Sequence, residues 1–237
     1  MPPLSRTKSA ARWISIGLGA IAAAYATYAG VTWFRYGHAS RSTSENGDAL
    51  LDRFIPFYDV AERHHIRVDA PAAIAFAAAC ETDLLQSAVV RAIFSAREVV
   101  LGSEPDPAVR PRGMLALTKS IGWGVLAEVP DREVVMGAVT KPWEANVVFR
   151  GLPPDAFATF DEPGYVKIAW TLRADPTGPM ESVFRTETRA VATDPSARAK
   201  FRRYWSFLSP GIIVIRWMML RPVKVEAERR ARAARRE

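Results

Sequence analysis

The sequence has very little of what proteins use to build metal, disulfide or redox sites. It contains one cysteine, Cys80, and three histidines in 237 residues. A single cysteine excludes an intramolecular disulfide, and no Cys/His spacing is typical of a zinc site. The GxSxG, HExxH, P-loop and GxGxxG motifs are also absent in a strand-to-helix context. We therefore predict no metal and no cofactor, and no catalytic signature identifies a reaction.

Most of the chain lacks net positive charge, despite a formal net charge of +7. Residues 1–12 carry +3 and residues 216–237 carry +5, which leaves −1 for everything between them. A nucleic-acid-binding domain needs a basic face on its folded body, so this near-neutral body argues against a nucleic-acid partner. Basic tails are instead typical of chains that lie near anionic phospholipid.

Residues 13–34, WISIGLGAIAAAYATYAGVTWF, contain no charged side chain. Trp13 and Trp33 lie at the two ends of this run, roughly 30 Å apart along a helix, which matches the hydrocarbon thickness of a bilayer. The run predicts a transmembrane helix over residues 13–35 with an aromatic belt at each end. Two alternatives stay open: a signal peptide cleaved after position 26, which would leave a secreted or periplasmic protein, and a buried soluble helix. Three basic residues flank the run on each side, so the positive-inside rule assigns no orientation.

The composition divides the chain into five parts. Residues 37–53 are polar and rich in Ser, Gly and Asn, as in a linker. The predicted parts are a basic tail (1–12), a transmembrane helix (13–35), a linker (36–56), a folded domain (57–225) and a basic C-terminal tail (226–237).

Residues 59–68, DVAERHHIRV, alternate in the manner of a strand. The alternation places His64 on one face with Val60 and Glu62, and His65 on the other face with arginines. Neighbouring strand residues point to opposite sides of a sheet, so the two histidines are not expected to share a metal. We interpret His65 as solvent-facing and His64 as a core-facing structural residue.

The remaining pattern predicts two helices, a series of antiparallel strands and a long last helix. The helices cover residues 69–83, with Cys80 as a small buried side chain, and residues 83–100. Strands are expected at 122–130, 133–141, 144–150, 164–175 and 182–191, where alternating charged residues predict a solvated outer face. The last helix begins at Asp194-Pro195, and Pro210 is expected to kink it.

This order of elements resembles the SRPBCC or START-like helix-grip superfamily, which includes polyketide cyclases and lipid-transport proteins. The residues that carry the resemblance are ERHHIRVDAPAAIAFAAACETD (62–83) and SVFRTETRAVATDPSARAKFRRYWSFLSPGI (182–212), and it would cover about residues 57–225. It implies an α+β fold in which a curved antiparallel sheet surrounds a long C-terminal helix. It also implies an apolar cavity between sheet and helix, for lipids, polyketides, sterols or hormones.

Such a fold indicates which side chains would line the cavity. The expected ligand-binding residues are Trp143, Val166, Ile168, Trp170, Thr186, Thr188, Trp205 and Leu208. The superfamily has no universal catalytic residue to carry over, so candidate acid/base residues are chosen by type alone: His64, Glu128 and Glu144. The favoured hypothesis is a membrane-anchored protein that holds a small apolar ligand or lipid. A cyclase- or hydrolase-like enzyme and a structural domain with a filled core are the alternatives.

Overall fold

The computed structural model describes residues 4–39, 47–103 and 111–236, with side chains from residue 13 onward. The chain is α+β, with a five-stranded antiparallel sheet and a long C-terminal helix. The helices are α1 (Leu4–Arg35), α2 (Ala49–Asp52), α3 (Ala72–Glu81), α4 (Ala88–Leu101), α5 (Met114–Ser120), α6 (Pro154–Ala158) and α7 (Pro195–Ala234). The strands are β1 (Val60–Val68), β2 (Gly124–Val129), β3 (Glu133–Thr140), β4 (Val166–Gly178) and β5 (Glu181–Ala192).

The strands lie in the order β1-β5-β4-β3-β2, and their register aligns side chains into rows across the sheet. One row contains Met136, Trp170, Thr188 and Glu62, which are successive antiparallel partners on β3, β4, β5 and β1. Trp170 and Met136 pack in the same buried cluster as Met219 of α7. We call this side of the sheet the α7 face. The helix-grip architecture expected from the sequence is therefore the architecture of the chain.

Helix α7 begins where the sequence predicts it. Asp194 caps the helix, because its carboxylate accepts hydrogen bonds from Ser196 N at 2.7 Å and Ala197 N at 3.1 Å. The helix then continues through two internal prolines. Its last turns are packed, since Ala227 and Ala231 are buried and Arg230 pairs with Glu81 at 2.7 Å. The predicted domain boundary at residue 225 thus falls inside a packed helix, and the predicted tail 226–237 is part of it as far as Ala234.

The second half of the predicted linker is folded. Asp48 accepts a hydrogen bond from Leu51 N at 2.9 Å and caps α2. Leu51, Phe54 and Ile55 are buried against the side of the sheet opposite to the α7 face. We call this side the covered face. The linker prediction of 36–56 therefore differs from the structure over residues 47–56, while residues 40–46 lie outside the described residues.

The covered face is not the solvated ladder that the charge alternation predicts. The guanidinium of Arg189 is fully buried, and it donates hydrogen bonds to Glu187 Oε1 at 2.7 Å, to Ile55 O at 2.9 Å and to Asp52. It also lies 4.8 Å from the ring centroid of Tyr58. Water is displaced from these charges by the segment 47–58, which strand alternation alone cannot reveal.

The strand predicted at 144–150 is absent from the structure. Only Arg150 forms a bridge, to Val139 near the end of β3. β3 pairs with β4 on one side and, as far as Gly137, with β2 on the other, so only the last residues of β3 can pair with this segment. The short helix α5, which the sequence pattern did not predict, precedes β2.

Candidate ligand cavity

A cavity of about 660 Å³ lies between the α7 face of the sheet, α7, α4 and the 142–149 loop. Its volume falls within the range of small-molecule pockets. The sheet contributes Ile168, Trp170, Thr186 and Thr188, and α7 contributes Phe201, Tyr204, Ile212, Ile215, Arg216 and Met219. Aliphatic and aromatic side chains predominate, so most of the wall offers no hydrogen bond to a ligand.

The aromatic part of the wall is fixed by a close approach of two backbone segments. Trp123 lies 5.0 Å from Phe149 and 6.2 Å from Trp170, centroid to centroid. Gly122 has a φ of +100°, and a Cβ at this position would lie 2.2 Å from the carbonyl oxygen of Phe149. Only glycine fits there, and it allows Gly151 N to donate to Gly122 O at 2.7 Å. The backbone thereby holds the Trp123 and Phe149 rings against the cavity.

A polar patch interrupts this apolar wall where β5 faces α7. Thr186 Oγ1 accepts a long hydrogen bond, 3.5 Å, from Nη1 of Arg216. The Thr188 hydroxyl and the Arg216 Nε are buried, and neither has a hydrogen-bond partner among the described residues. Burial lowers the pKa of Arg216 to about 10, although the neighbouring Glu62 opposes the shift. We call Arg216, Thr186 and Thr188 the polar patch.

The neighbouring strand β1 places two titratable groups beside this patch. Glu62 is the cross-strand partner of Thr188, and His64 is the partner of Thr186. Burial raises the pKa of Glu62, and Arg216 works against the shift. Burial lowers the pKa of His64, and Arg216 lowers it further. The imidazole is therefore held in its neutral form, with Nε2 3.9 Å from Glu62 Oε2.

Four of the eight expected ligand-binding residues lie on the cavity wall: Ile168, Trp170, Thr186 and Thr188. Their role in binding stays a prediction.

The other four, although described in the structure, do not line the cavity. Val166 and Trp205 are buried in a cluster with Tyr36 and Phe201, next to the cavity. Trp143 packs at the edge of that cluster below Lys200, and Leu208 lies half-buried on α7. Tyr36, which directly follows α1, thus packs where an extension of the cavity wall was expected.

The structure does not bring the three candidate catalytic residues together. Glu128 is exposed on β2, and Glu144 is exposed beside Lys141, with 3.9 Å between carboxylate and ammonium. Only His64 lies near the cavity.

Sequence reasoning missed the importance of Arg216 at this site. A signal was available, because Arg216 is the only charged residue in the run FLSPGIIVIRWMML (207–220) of a core-facing helix. A lone charge in an apolar stripe indicates a buried site that needs a partner.

Helix α1 contains the one described segment long and apolar enough to cross a membrane, Trp13–Arg35. Signal sequences have the same length and composition. Its C-terminal turns are attached to the domain: Tyr28 Oη lies 2.9 Å from Ser209 Oγ, and Arg202 Nε donates to Trp33 O at 3.0 Å. The Arg202 guanidinium also lies 4.1 Å from the centroid of the Trp33 ring.

Known structures with similar chain traces have low sequence identity to this chain. They include norcoclaurine synthase from Thalictrum flavum in complex with dopamine and hydroxybenzaldehyde, which is 11% identical, with 78% of this chain and 96% of that chain covered and a TM-score of 0.31. The Zhui aromatase/cyclase from Streptomyces sp. R1128 is 16% identical, with coverages of 74% and 97% and a TM-score of 0.25. A hypothetical protein from Helicobacter pylori is 10% identical, with coverages of 79% and 99% and a TM-score of 0.38.

No protein-family model matches the chain, and neither does any curated protein. The helix-grip assignment thus rests on the register of the sheet and on the position of α7 across its inner face.

Proposed function

We propose that this chain is a membrane-anchored binding protein that holds a small apolar molecule or lipid in the cavity between the sheet and α7. The cavity itself carries the proposal: about 660 Å³ of space beside Trp170, Ile168 and Ile215. Transfer of apolar surface into such a space contributes roughly 25 cal/mol per Å². A ligand that buries about 200 Å² would gain about 5 kcal/mol before the costs of association.

The anchor part of the proposal is supported by exposed apolar side chains on neighbouring helices. Trp13, Ile14 and Ile21 on α1 are 62–70% exposed. Phe207 and Trp217 on α7 are also exposed, and α1 reaches the former because Tyr25 Oη donates to the Phe207 carbonyl. Apolar surface of this extent is typical of a membrane or protein contact. In the proposal, α1 lies in the bilayer and the outer side of α7 lies against its surface.

Dye binding tests the cavity. The full-length protein in nanodiscs of uncharged phosphatidylcholine is titrated with phenylnaphthylamine, a neutral dye that fluoresces in apolar surroundings, and empty nanodiscs provide the baseline. We expect saturable binding that Ile215→Trp weakens about tenfold by filling the cavity, whereas Val225→Trp, on an exposed position of the same helix, leaves it unchanged. Absence of saturable binding, or equal weakening by both variants, would overturn the proposal.

Fractionation tests the anchor independently. The full-length protein should stay in the membrane pellet after a carbonate wash, because an apolar helix of this length is not released by high pH or salt. Recovery of a mature chain that begins at Thr27 would instead show that the segment is a cleaved signal peptide. Separately, mass spectrometry of organic extracts from the purified full-length protein would identify a molecule bound in the cavity.

A further inference from the structure

We infer that the ligand of this cavity is an organic monoanion, a carboxylate on an apolar body, and that the polar patch of Arg216, Thr186 and Thr188 binds its charged end. The inference rests on the proposed function, since it names the class of molecule that the same cavity takes.

The charge of Arg216 is not matched by an ion pair among the described residues. A buried charge is costly unless an opposite charge or several hydrogen bonds compensate it. Arg216 forms no ion pair within 4.0 Å among the described residues, and its one hydrogen bond to a side chain is the 3.5 Å contact with Thr186. Arg189 on the covered face, in contrast, has two carboxylates and a carbonyl. The guanidinium of Arg189 therefore has two carboxylate partners, although its Nη2 has no hydrogen-bond partner among the described residues, whereas the guanidinium of Arg216 has no carboxylate partner.

The polar patch offers its unused hydrogen-bonding groups to the cavity. Arg216, Thr186 and Thr188 all line it. Thr188 is 8% exposed, and its hydroxyl has no partner among the described residues. Two hydroxyl donors beside a guanidinium fork match the oxygens of one carboxylate. A ligand that entered with its apolar part against Trp170 would present its charged end to these three groups.

The charged groups beside the polar patch limit the charge of the ligand to one. Glu62 is the cross-strand partner of Thr188 and already interacts electrostatically with Arg216. A dianion such as a phosphate monoester at the polar patch would face this carboxylate with only the Arg216 guanidinium beside it, because the second arginine of the cavity wall, Arg97, lies on α4 and donates to Pro142 O. His64 adds no positive charge, because burial and Arg216 keep it neutral. One guanidinium and two hydroxyls therefore suit a carboxylate better than a phosphate.

Two dyes with the same ring system test the inference. Anilinonaphthalene sulfonate is a monoanion, and phenylnaphthylamine has the same apolar body without the sulfonate. With the full-length protein in uncharged nanodiscs, we expect Arg216→Gln to weaken the anionic dye about tenfold or more while it changes the neutral dye less than about twofold. Arg221→Gln, which removes an exposed arginine from the same helix, is the matched control and should change neither.

Further variants keep the inference falsifiable if Arg216→Gln does not fold. Thr188→Val should weaken only the anionic dye, by about threefold, because it removes one hydroxyl without changing volume greatly. Glu62→Gln should strengthen the anionic dye by about two- to fivefold, because a nearby negative charge is removed. Decanoate should displace the anionic dye more effectively than decanol does.

The outcomes separate the two proposals. If neither dye binds the wild type saturably, the proposed function and this inference both fail. If both dyes bind, but Arg216→Gln and Thr188→Val weaken them equally, the cavity binds apolar molecules and the inference alone is wrong. In that case Arg216 serves to hold α7 on the sheet through its interaction with Glu62. If decyl phosphate displaces the anionic dye better than decanoate does, the restriction to a single charge is wrong.

Discussion

The arginines on the two faces of the sheet differ in the number of their partners. On the covered face, Arg189 is surrounded by partners from β5 and from the segment that carries Asp52 and Ile55. On the α7 face, Arg216 lies beside a cavity with a single long contact to Thr186. Charges that only stabilise a fold are matched within the protein, because an unmatched buried charge is destabilising. This difference agrees with the proposed function, in which the covered face is structural and the α7 face binds the ligand.

The largest effect should come from removing the matched arginine. Arg189→Ala leaves the carboxylates of Glu187 and Asp52 without their buried partner, and we expect the free energy of unfolding to fall by about 3–5 kcal/mol. Chemical denaturation measures the change. Arg132→Ala is the control, because its pair with Asp175 is half-exposed and should contribute about 0–1 kcal/mol. Similar losses for both variants would show that the covered face is not a sealed network.

The second-largest effect on stability is expected from aromatic side chains, and it distinguishes a ring packed in the core from one that lines the cavity. Phe184→Ala should destabilise the domain by about 3–5 kcal/mol, because the ring is fully buried in the core. Trp170→Ala should destabilise the domain less than Phe184→Ala does, because one side of the Trp170 ring faces the cavity, and it should alter dye affinity. An unfolded Trp170→Ala variant, together with absent dye binding by the wild type, would mean that the ring is solid core.

The covered face should also make stability depend on pH. Burial, together with the adjacent carboxyl of Asp48, raises the pKa of Glu133 to about 8. A carboxyl whose pKa is raised in the folded state contributes stability that is complete below its unfolded pKa and is lost as the pH rises through the folded pKa. We expect the unfolding free energy to fall by about 1–3 kcal/mol between about pH 5 and pH 8, and Glu133→Gln to remove most of this slope. If the pH dependence of the unfolding free energy is the same in Glu133→Gln, another titrating group causes it.

The smallest effects concern the two histidines on β1, which lie on opposite faces. His65→Ala should change the unfolding free energy by less than about 0.5 kcal/mol, because the side chain is exposed. His64→Ala should cost about 1 kcal/mol through lost packing, since its Nε2 forms no hydrogen bond among the described residues. Equal costs for the two variants would contradict the assignment of faces, as would a bound metal lost from either one.

Local pattern was sufficient for most elements and for half of the residues that were expected on the cavity wall. The alternation in β4 and β5 places Ile168, Trp170, Thr186 and Thr188 on the α7 face, where the structure has them. Local pattern did not show that Val166 and Trp205 pack with Tyr36, at the end of α1, and not on the cavity wall. A helical periodicity shows that a residue faces apolar surroundings, but it does not show whether those surroundings are a cavity or another helix.

The sequence by itself determined the order of the five strands and of helices α3, α4 and α7, the faces of the strands and the start of α7, because capping and periodicity act between residues close in the chain. Only the tertiary structure decided what covers each face. Asp52 and Arg189 are 137 positions apart, and Tyr28 and Ser209 are 181 apart. Contacts over such separations have no signature in local pattern. Such contacts bury Arg189 among its partners and leave Arg216 facing the cavity.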